Sequence, residues 1–103
     1  MFSVPLYWEY WSLSRGTRAD RLRSKELLWA WEYVEDLVRS EPLEAVVLMR
    51  SLAVDAPGAE ALAFLGAGPL EVLLRVDDRD VQEGLQRAIE ECGSLAEAAN
   101  SSW

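Results

Sequence analysis

The sequence predicts an all-α fold, arranged as a compact bundle of about five to seven short helices. Apolar residues recur three and four positions apart through every long segment, and no segment alternates apolar and polar residues with period two. Half of the 103 residues are apolar and 27% are charged, which is the balance of one globular domain with its own core. The short turns favour helical hairpins packed in a HEAT-like manner, although no internal repeat of fixed period is present.

The first segment is an aromatic helix that begins near Ser3 and Pro5 and ends before the turn at residues 14–17. Its apolar side chains lie nearly all around the helix, so some of them either pack on later helices or form an exposed apolar patch. We interpret residues 1–17 as this aromatic helix and its turn, and residues 18–103 as the helical core of a single domain.

The next two helices supply most of the predicted core. The first spans residues 19–39, and its tryptophans are expected to be at least partly buried. The segment from Pro42 to Val54, with Ser40 as a candidate cap, is too apolar on all sides for a surface helix and is predicted to be the central, most buried one. The apolar stripe of the first of these helices consists of Leu27, Leu28, Trp31, Val34 and Val38.

Local signals delimit the helices that follow. Gly66 is placed to end one of them in the left-handed conformation, and Pro69 begins the next. Asp77, Asp78 and Asp80 offer N-caps for an amphipathic helix.

The C-terminal end of the sequence also has recognisable helix signals. Cys92 lies on the apolar stripe of the amphipathic helix, and Gly93 is predicted to end that helix. Residues 94–97 have the pattern of a capping box for a last short helix, which precedes Trp103. A large aromatic residue near a chain terminus is either an interface anchor or a cover over the core.

The residue types argue against catalysis. The chain has no histidine, which removes the commonest general base, the usual nucleophile pairs and most zinc sites. Cys92 has no predicted cationic neighbour and is expected to be an inert core residue. Side chains of adjacent residues such as Asp77 and Asp78 point in different directions on a helix, so the two carboxylates do not form a catalytic pair. We interpret them as helix caps or solvated surface charges. We therefore expect no enzyme activity, no cofactor and no metal ion.

The charge is large and unevenly distributed. The net charge is −8, yet five of the ten basic residues fall between Arg15 and Lys25, and from Glu26 onward 16 acidic residues face five basic ones. Such a surface attracts a basic protein and repels nucleic acid. We interpret the basic cluster as an intramolecular partner for the acidic helices, with nucleic-acid contact beside Trp8 and Trp11 as the alternative.

The sequence indicates a cytoplasmic protein. A lone cysteine cannot form an internal disulfide, which fits a reducing compartment. No stretch approaches the roughly 18 apolar residues of a membrane span, and the aromatic opening lacks the features of a secretion signal. No membrane association is expected.

The segment ALAFLGAGPLEVLL, residues 61–74, resembles the signature ALxxL[G/A]AGPLExLL of a family of small bacterial proteins classed as a domain of unknown function. In that family the segment follows a helix similar to residues 29–39, and the domain closes near a tryptophan like Trp103. The resemblance extends over residues 27–103. It implies a helical bacterial domain with no established activity. The motif itself has a structural interpretation, in which two helices meet closely at a glycine-containing turn.

Size, charge and the lack of catalytic groups favour a binding function. The first hypothesis is an immunity protein or antitoxin whose acidic surface covers a basic partner such as a nuclease toxin. The second is an adaptor or accessory subunit of a larger bacterial assembly, including a homodimer joined through the N-terminal aromatics. Aromatic anchors and a steering acidic face form the candidate interface. The candidate partner-binding residues are Trp8, Trp11, Asp77, Asp78, Asp80 and Glu83.

Overall fold

The computed structural model describes residues 1–100, which form eight α-helices, a short 3₁₀ turn and no strand. This result confirms the all-α prediction. Short loops of at most four residues join the helices. The helices are α1 (Val4–Ser14), α2 (Arg18–Ser24), α3 (Leu28–Ser40), α4 (Pro42–Val54), α5 (Ala59–Ala67), α6 (Pro69–Leu74), α7 (Arg79–Glu91) and α8 (Gly93–Asn100).

The segment predicted as one helix over residues 19–39 is divided in two. α2 ends at Ser24, the 3₁₀ turn Lys25–Leu27 follows, and α3 starts at Leu28. The backbone of Leu27 leaves the α-helical range, with φ of −106° and ψ of 4°. The break lets α2 pack against α1 while α3 packs against α4 and α6. No glycine or proline marks this position, so periodicity alone predicted a continuous helix.

One cluster of buried side chains forms the core among the described residues, and every helix except α2 contributes to it. Full burial of an apolar side chain stabilises the fold by about 1.5–3 kcal/mol. α4 lies at the centre, in contact with α3, α6, α7 and α8. The largest fully buried side chains include Tyr7, Met49, Leu52, Leu65, Leu70, Leu73, Leu85 and Leu95.

Helix α1 belongs to this core. The ring of Tyr7 is completely buried, and that of Trp8 is 6% exposed. The Trp8 indole Nε1 donates to the carbonyl oxygen of Leu52 near the C-terminal end of α4. Residues 1–17 were predicted as an aromatic segment beside a core formed by residues 18–103. In the structure α1 is instead part of the same core as the later helices.

Helix α4 is central, as predicted, but one of its sides is exposed. Leu43, Val47 and Val54 are 52%, 69% and 62% exposed. The first two are four positions apart and Val54 follows seven positions later, which places them on one side of the helix. Its opposite side packs into the core. The buried residues of α4 are Ala45, Val46, Met49, Leu52 and Ala53.

Two predicted details of α3 and its surroundings are corrected. Leu28, predicted on the apolar stripe, is 38% exposed, while Trp29 is 40% exposed and Trp31 is partly buried against the core. Ser40 is the last residue of α3, where its hydroxyl donates to the carbonyl of Asp36, and it does not cap α4. Pro42 begins α4, as predicted.

The junction of α5 and α6 is a close approach of two helices. α5 continues to Ala67, and none of the described glycines has a positive φ, so the left-handed end predicted at Gly66 is wrong. Pro69 begins α6 as predicted. A Cβ on Gly68 would lie 3.1 Å from the Phe64 carbonyl oxygen, which leaves little room for a side chain at this turn.

The start of α7 is capped as the sequence indicates, because the Asp78 carboxylate accepts from the backbone N–H groups of Asp80 and Val81. The end of α7 differs from the prediction. Cys92 has an extended backbone between α7 and α8, and Gly93 begins α8 instead of ending α7. The predicted capping box at residues 94–97 therefore lies inside the last helix. Trp103 lies outside the described residues.

Candidate functional site

An open apolar groove lies between α4 and α7, with a volume of about 260 Å³. Leu43 and Val47 stand on its α4 side and are more than half exposed. Exposed apolar side chains that line a concavity are typical of a binding surface. The complete lining is Leu43, Val46, Val47, Arg50, Gly84, Arg87, Ala88 and Glu91.

Gly84 opens the groove from the α7 side. Positions 80, 84, 87 and 91 share one face of the helix, and a Cβ at Gly84 would meet nothing within 4 Å. A glycine in a helix interior costs about 0.5–1 kcal/mol relative to alanine, and here no packing constraint requires one. Sequence analysis missed this groove, although a glycine in the most clearly amphipathic helix was a usable signal.

Ion pairs at the groove are exposed and weak. Arg50 on α4 pairs with Glu91 on α7 at 3.1 Å, and both side chains are about half exposed. Arg79 and Glu83 pair at 3.1 Å within α7, outside the groove lining. Surface pairs of this kind contribute about 0–1 kcal/mol each. A partner can therefore replace them at little cost.

The four predicted acidic residues come together at the start of α7, and all of them are exposed. Asp78 caps the helix, and Glu83 pairs with Arg79. Asp80 lies one turn before Gly84 on the groove face. Residues 77–91 carry six acidic side chains and two arginines. Of the four predicted acidic residues, Asp80 alone shares the groove face of α7, and none of the four is among the residues that line the groove.

The two predicted aromatic anchors lie elsewhere. Burial of Trp8 corrects the prediction that its ring is available to a partner. Trp11 is partly buried and packs edge-on against Trp8, with ring centroids 5.9 Å apart, while the Arg15 guanidinium lies 5.0 Å from its ring centroid. Its Nε1 is buried without a hydrogen-bond partner. The indoles serve packing, and the structure does not bring them to the acidic face.

The basic cluster is mostly unpaired, contrary to the interpretation as an intramolecular partner of the acidic helices. Arg15 pairs with Glu60 at 2.9 Å. Arg18, Arg21, Arg23 and Lys25 are exposed, and none of them forms an ion pair with another residue of the range 1–100.

Two buried groups have chemistry that bears on stability. The Cys92 thiol is free and 7% exposed, as expected for a core residue. The Tyr7 hydroxyl is buried without a hydrogen-bond partner. Its burial, and to a smaller extent the nearby Glu35 and Tyr10, raise the pKa of the Tyr7 phenol well above its usual value.

Within residues 1–100, no group of three or more histidine, cysteine or acidic side chains is placed to hold a metal ion. No helix in the same range has both the length and the apolar character that a membrane crossing requires.

Comparison with protein-family models, with curated proteins and with solved structures found no match. The likeness of residues 61–74 to a bacterial family therefore rests on the motif alone and stays a hypothesis. In this structure the motif forms the close junction between α5 and α6, where Leu65, Pro69 and Leu70 are buried.

Proposed function

We propose that this chain is a small acidic protein-binding module, and that a basic protein docks in the groove between α4 and α7. The observation that carries the proposal is the exposed apolar groove beside the acidic start of α7. Protein interfaces combine an apolar centre that excludes water with a charged rim. An apolar side chain of the partner would fill the space above Gly84. The partner's cations would meet the acidic start of α7, since Arg50 and Arg87 line the groove itself beside Glu91.

The specific form we propose is an inhibitor of the immunity or antitoxin type that acts in the cytoplasm. The net charge of −8 supports rapid, steered association with a basic partner such as a nuclease. The exposed groove would supply the short-range contacts that charge alone does not provide. Binding without catalysis is sufficient for this role, because covering a toxin's basic surface blocks its access to nucleic acid.

A direct test uses a designed probe, a helical peptide with a single ridge of leucines flanked by lysines. Titration into the isotopically labelled protein should shift the amide signals of Leu43, Val47 and Gly84 more than those of α1 or α3. A peptide of equal composition with its leucines distributed around the helix is the control. Equal shifts from both peptides, or shifts centred elsewhere, would contradict a binding site in the groove.

The inhibitor role needs a separate test with a toxic partner. Co-expression with the product of a neighbouring gene should rescue host growth if that product is a basic toxin. Variants with a filled groove should lose the rescue while they remain folded. Growth that is unaffected by either gene would argue against the toxin and inhibitor pair, even if the groove binds peptides.

The second candidate function is an adaptor in a larger assembly. The unpaired cations of α2 favour it, because they form a second charged surface away from the groove. An adaptor binds two partners at once, whereas an inhibitor needs one. Simultaneous binding of a second protein while the peptide fills the groove would support the adaptor.

A further inference from the structure

Four exposed cations lie around an exposed leucine on α2 and the first residue of the 3₁₀ turn. Leu22 is 56% exposed and projects away from the covered side of α2, where Ser24 is buried. None of the four cations forms an ion pair with another residue of the range 1–100. We name this surface the cationic face. It consists of Arg18, Arg21, Leu22, Arg23 and Lys25.

Neither core packing nor helix stability explains the cationic face. No apolar side chain of α2 is buried, and α2 is absent from the core cluster. Arg18 is the first residue of α2, where the helix dipole favours a negative charge. Arg21 lies three positions after Arg18 and four before Lys25, and like charges at these spacings destabilise a helix. Residues that oppose local stability in this way are typical of functional surfaces.

The helix that carries the cationic face is nevertheless well defined. The Thr17 hydroxyl accepts from the Asp20 backbone N–H, and the Asp20 carboxylate accepts from the Thr17 N–H, which is a complete capping box. The Ser24 hydroxyl donates to the carbonyl of Arg21 at the other end. α2 also packs on α1, which belongs to the core. A ligand therefore meets the cations on a helix that is already formed.

The composition of the cationic face indicates the chemistry of its ligand. Guanidinium groups bind carboxylates and phosphates through paired hydrogen bonds. A small free anion would leave Leu22 in water, so the ligand combines negative charges with an apolar contact point. α2 has seven residues and is about 10 Å long, so a segment of two or three helical turns covers it.

We infer that the cationic face binds an acidic segment of a protein partner, an amphipathic helix whose carboxylates flank an apolar ridge. The inference rests on the adaptor function proposed above and supplies the chemistry of the second partner. It does not depend on the groove, since α2 packs on α1 and the 3₁₀ turn, whereas the groove lies between α4 and α7. The protein would then join an acidic partner at α2 to a basic partner at the groove.

Nucleic acid fits the cationic face less well than a short acidic helix does. From Glu26 onward acidic residues outnumber basic ones by 16 to five, so an extended polyanion would meet repulsion beyond α2. A segment no longer than α2 stays beside the cations. Repulsion from acidic side chains farther than about 8–10 Å is screened at ordinary salt.

The test uses the charge-inverted form of the peptide designed for the groove, a helical peptide with one ridge of leucines flanked by glutamates. Its titration into the isotopically labelled protein should shift the amide signals of residues 18–25 more than those of Leu43, Val47 and Gly84. The affinity should fall as the salt concentration rises, because charge pairs hold the complex. A peptide of equal composition with its leucines distributed around the helix is the control and should bind at least tenfold more weakly.

Three variants separate the cationic face from general charge effects. R18Q/R21Q should weaken binding at least tenfold and reduce its dependence on salt. R39Q/R75Q makes the same change in net charge at two exposed arginines outside α2 and should bind like the wild type. L22Q should weaken binding at least tenfold and leave the dependence on salt unchanged, because it removes an apolar contact and no charge. Thermal melts followed by circular dichroism should show that all three remain folded.

Four outcomes would overturn the inference. They are no binding of the leucine and glutamate peptide at millimolar concentration, equal binding by R18Q/R21Q and the wild type, equal binding of the ordered and scattered peptides, and tighter binding of a single-stranded oligonucleotide of the same charge at the same salt. The last would assign the cationic face to nucleic acid. R18Q/R21Q should still bind the leucine and lysine peptide at least as tightly as the wild type, so failure of the groove proposal is recognised separately.

Discussion

The indole Nε1 of Trp8 donates a hydrogen bond of 3.0 Å to the carbonyl oxygen of Leu52, 44 positions further along the chain. The last four carbonyls of an α-helix have no partner within the helix, and Leu52 is the third residue from the end of α4. Trp8 therefore satisfies a helix end that its own helix leaves open. Detachment of α1 would break this bond and expose the apolar ring of Trp8 to water.

We predict that Trp8→Ala lowers the free energy of unfolding by about 3–5 kcal/mol, because it removes a large buried ring. Trp8→Phe should cost less, about 1–3 kcal/mol, since it keeps most of the apolar volume but leaves the Leu52 carbonyl unpaired. Urea denaturation measures both. Trp29→Ala is the control, because Trp29 is 40% exposed and its removal should cost less. Equal losses from Trp8→Ala and Trp29→Ala would contradict the assignment of α1 to the core.

The limits of the sequence analysis have a physical cause. Helix ends were predictable where a local bond or a missing N–H fixes them, as at Pro42, Pro69 and Asp78. In α1 and α4, by contrast, apolar residues lie on nearly every side, so periodicity cannot tell which side is buried. Which side is buried depends on where the other helices pack, and their packing covers Trp8 and leaves Val47 exposed. The acidic half of the candidate site was predictable from charge, but the groove depends on two helices meeting.

The unpaired hydroxyl of Tyr7 gives a prediction about alkaline pH. Folding raises the pKa of the Tyr7 phenol above the value of about 10 that it has in the unfolded chain. The free energy of unfolding is therefore unaffected by Tyr7 ionisation below about pH 10 and falls as the pH rises above it. Tyr7→Phe should remove this loss. It should also stabilise the protein by about 1 kcal/mol at neutral pH, because a buried hydroxyl without a partner is removed. Thermal melts of both proteins from pH 7 to about 11 measure the effect, and parallel losses would argue against it.

Substitutions of Gly84 are expected to change the stability of the protein and its binding of the peptide independently. Gly84→Ala should stabilise the protein by about 0.5–1 kcal/mol, because alanine favours the helix and a Cβ meets no atom within 4 Å. Gly84→Leu should remain as stable as the wild type while its side chain fills the groove and blocks the leucine and lysine peptide. Urea denaturation and calorimetric titration measure the two effects. Full peptide affinity in Gly84→Leu would show that the peptide binds elsewhere.

Cys92 reports on the opening of the core between α7 and α8. With 7% of its surface exposed, the thiol should react with a chromogenic disulfide reagent only when the protein unfolds. The labelling rate should therefore rise with urea in parallel with the loss of helical signal. Cys92→Ser removes the reaction and serves as the blank. Complete labelling within the mixing time, in buffer without denaturant, would show that this junction opens independently of the rest of the fold.

The groove proposal predicts that Val47 matters for binding and not for folding. Its side chain is 69% exposed, so Val47→Gln should change the free energy of unfolding by less than about 0.5 kcal/mol. The same change should weaken peptide binding at least tenfold, because it replaces an apolar contact at the centre of the interface. Val72→Gln is the matched control, since Val72 on α6 is 42% exposed and does not line the groove.

The association rate of the wild type with the peptide should fall steeply with salt, because acidic side chains near the groove attract the lysines at long range. Val47→Gln should keep that salt dependence and dissociate faster, because it removes contact and not charge. If Val47→Gln and Val72→Gln bind the peptide equally well, the apolar lining of α4 does not form the interface.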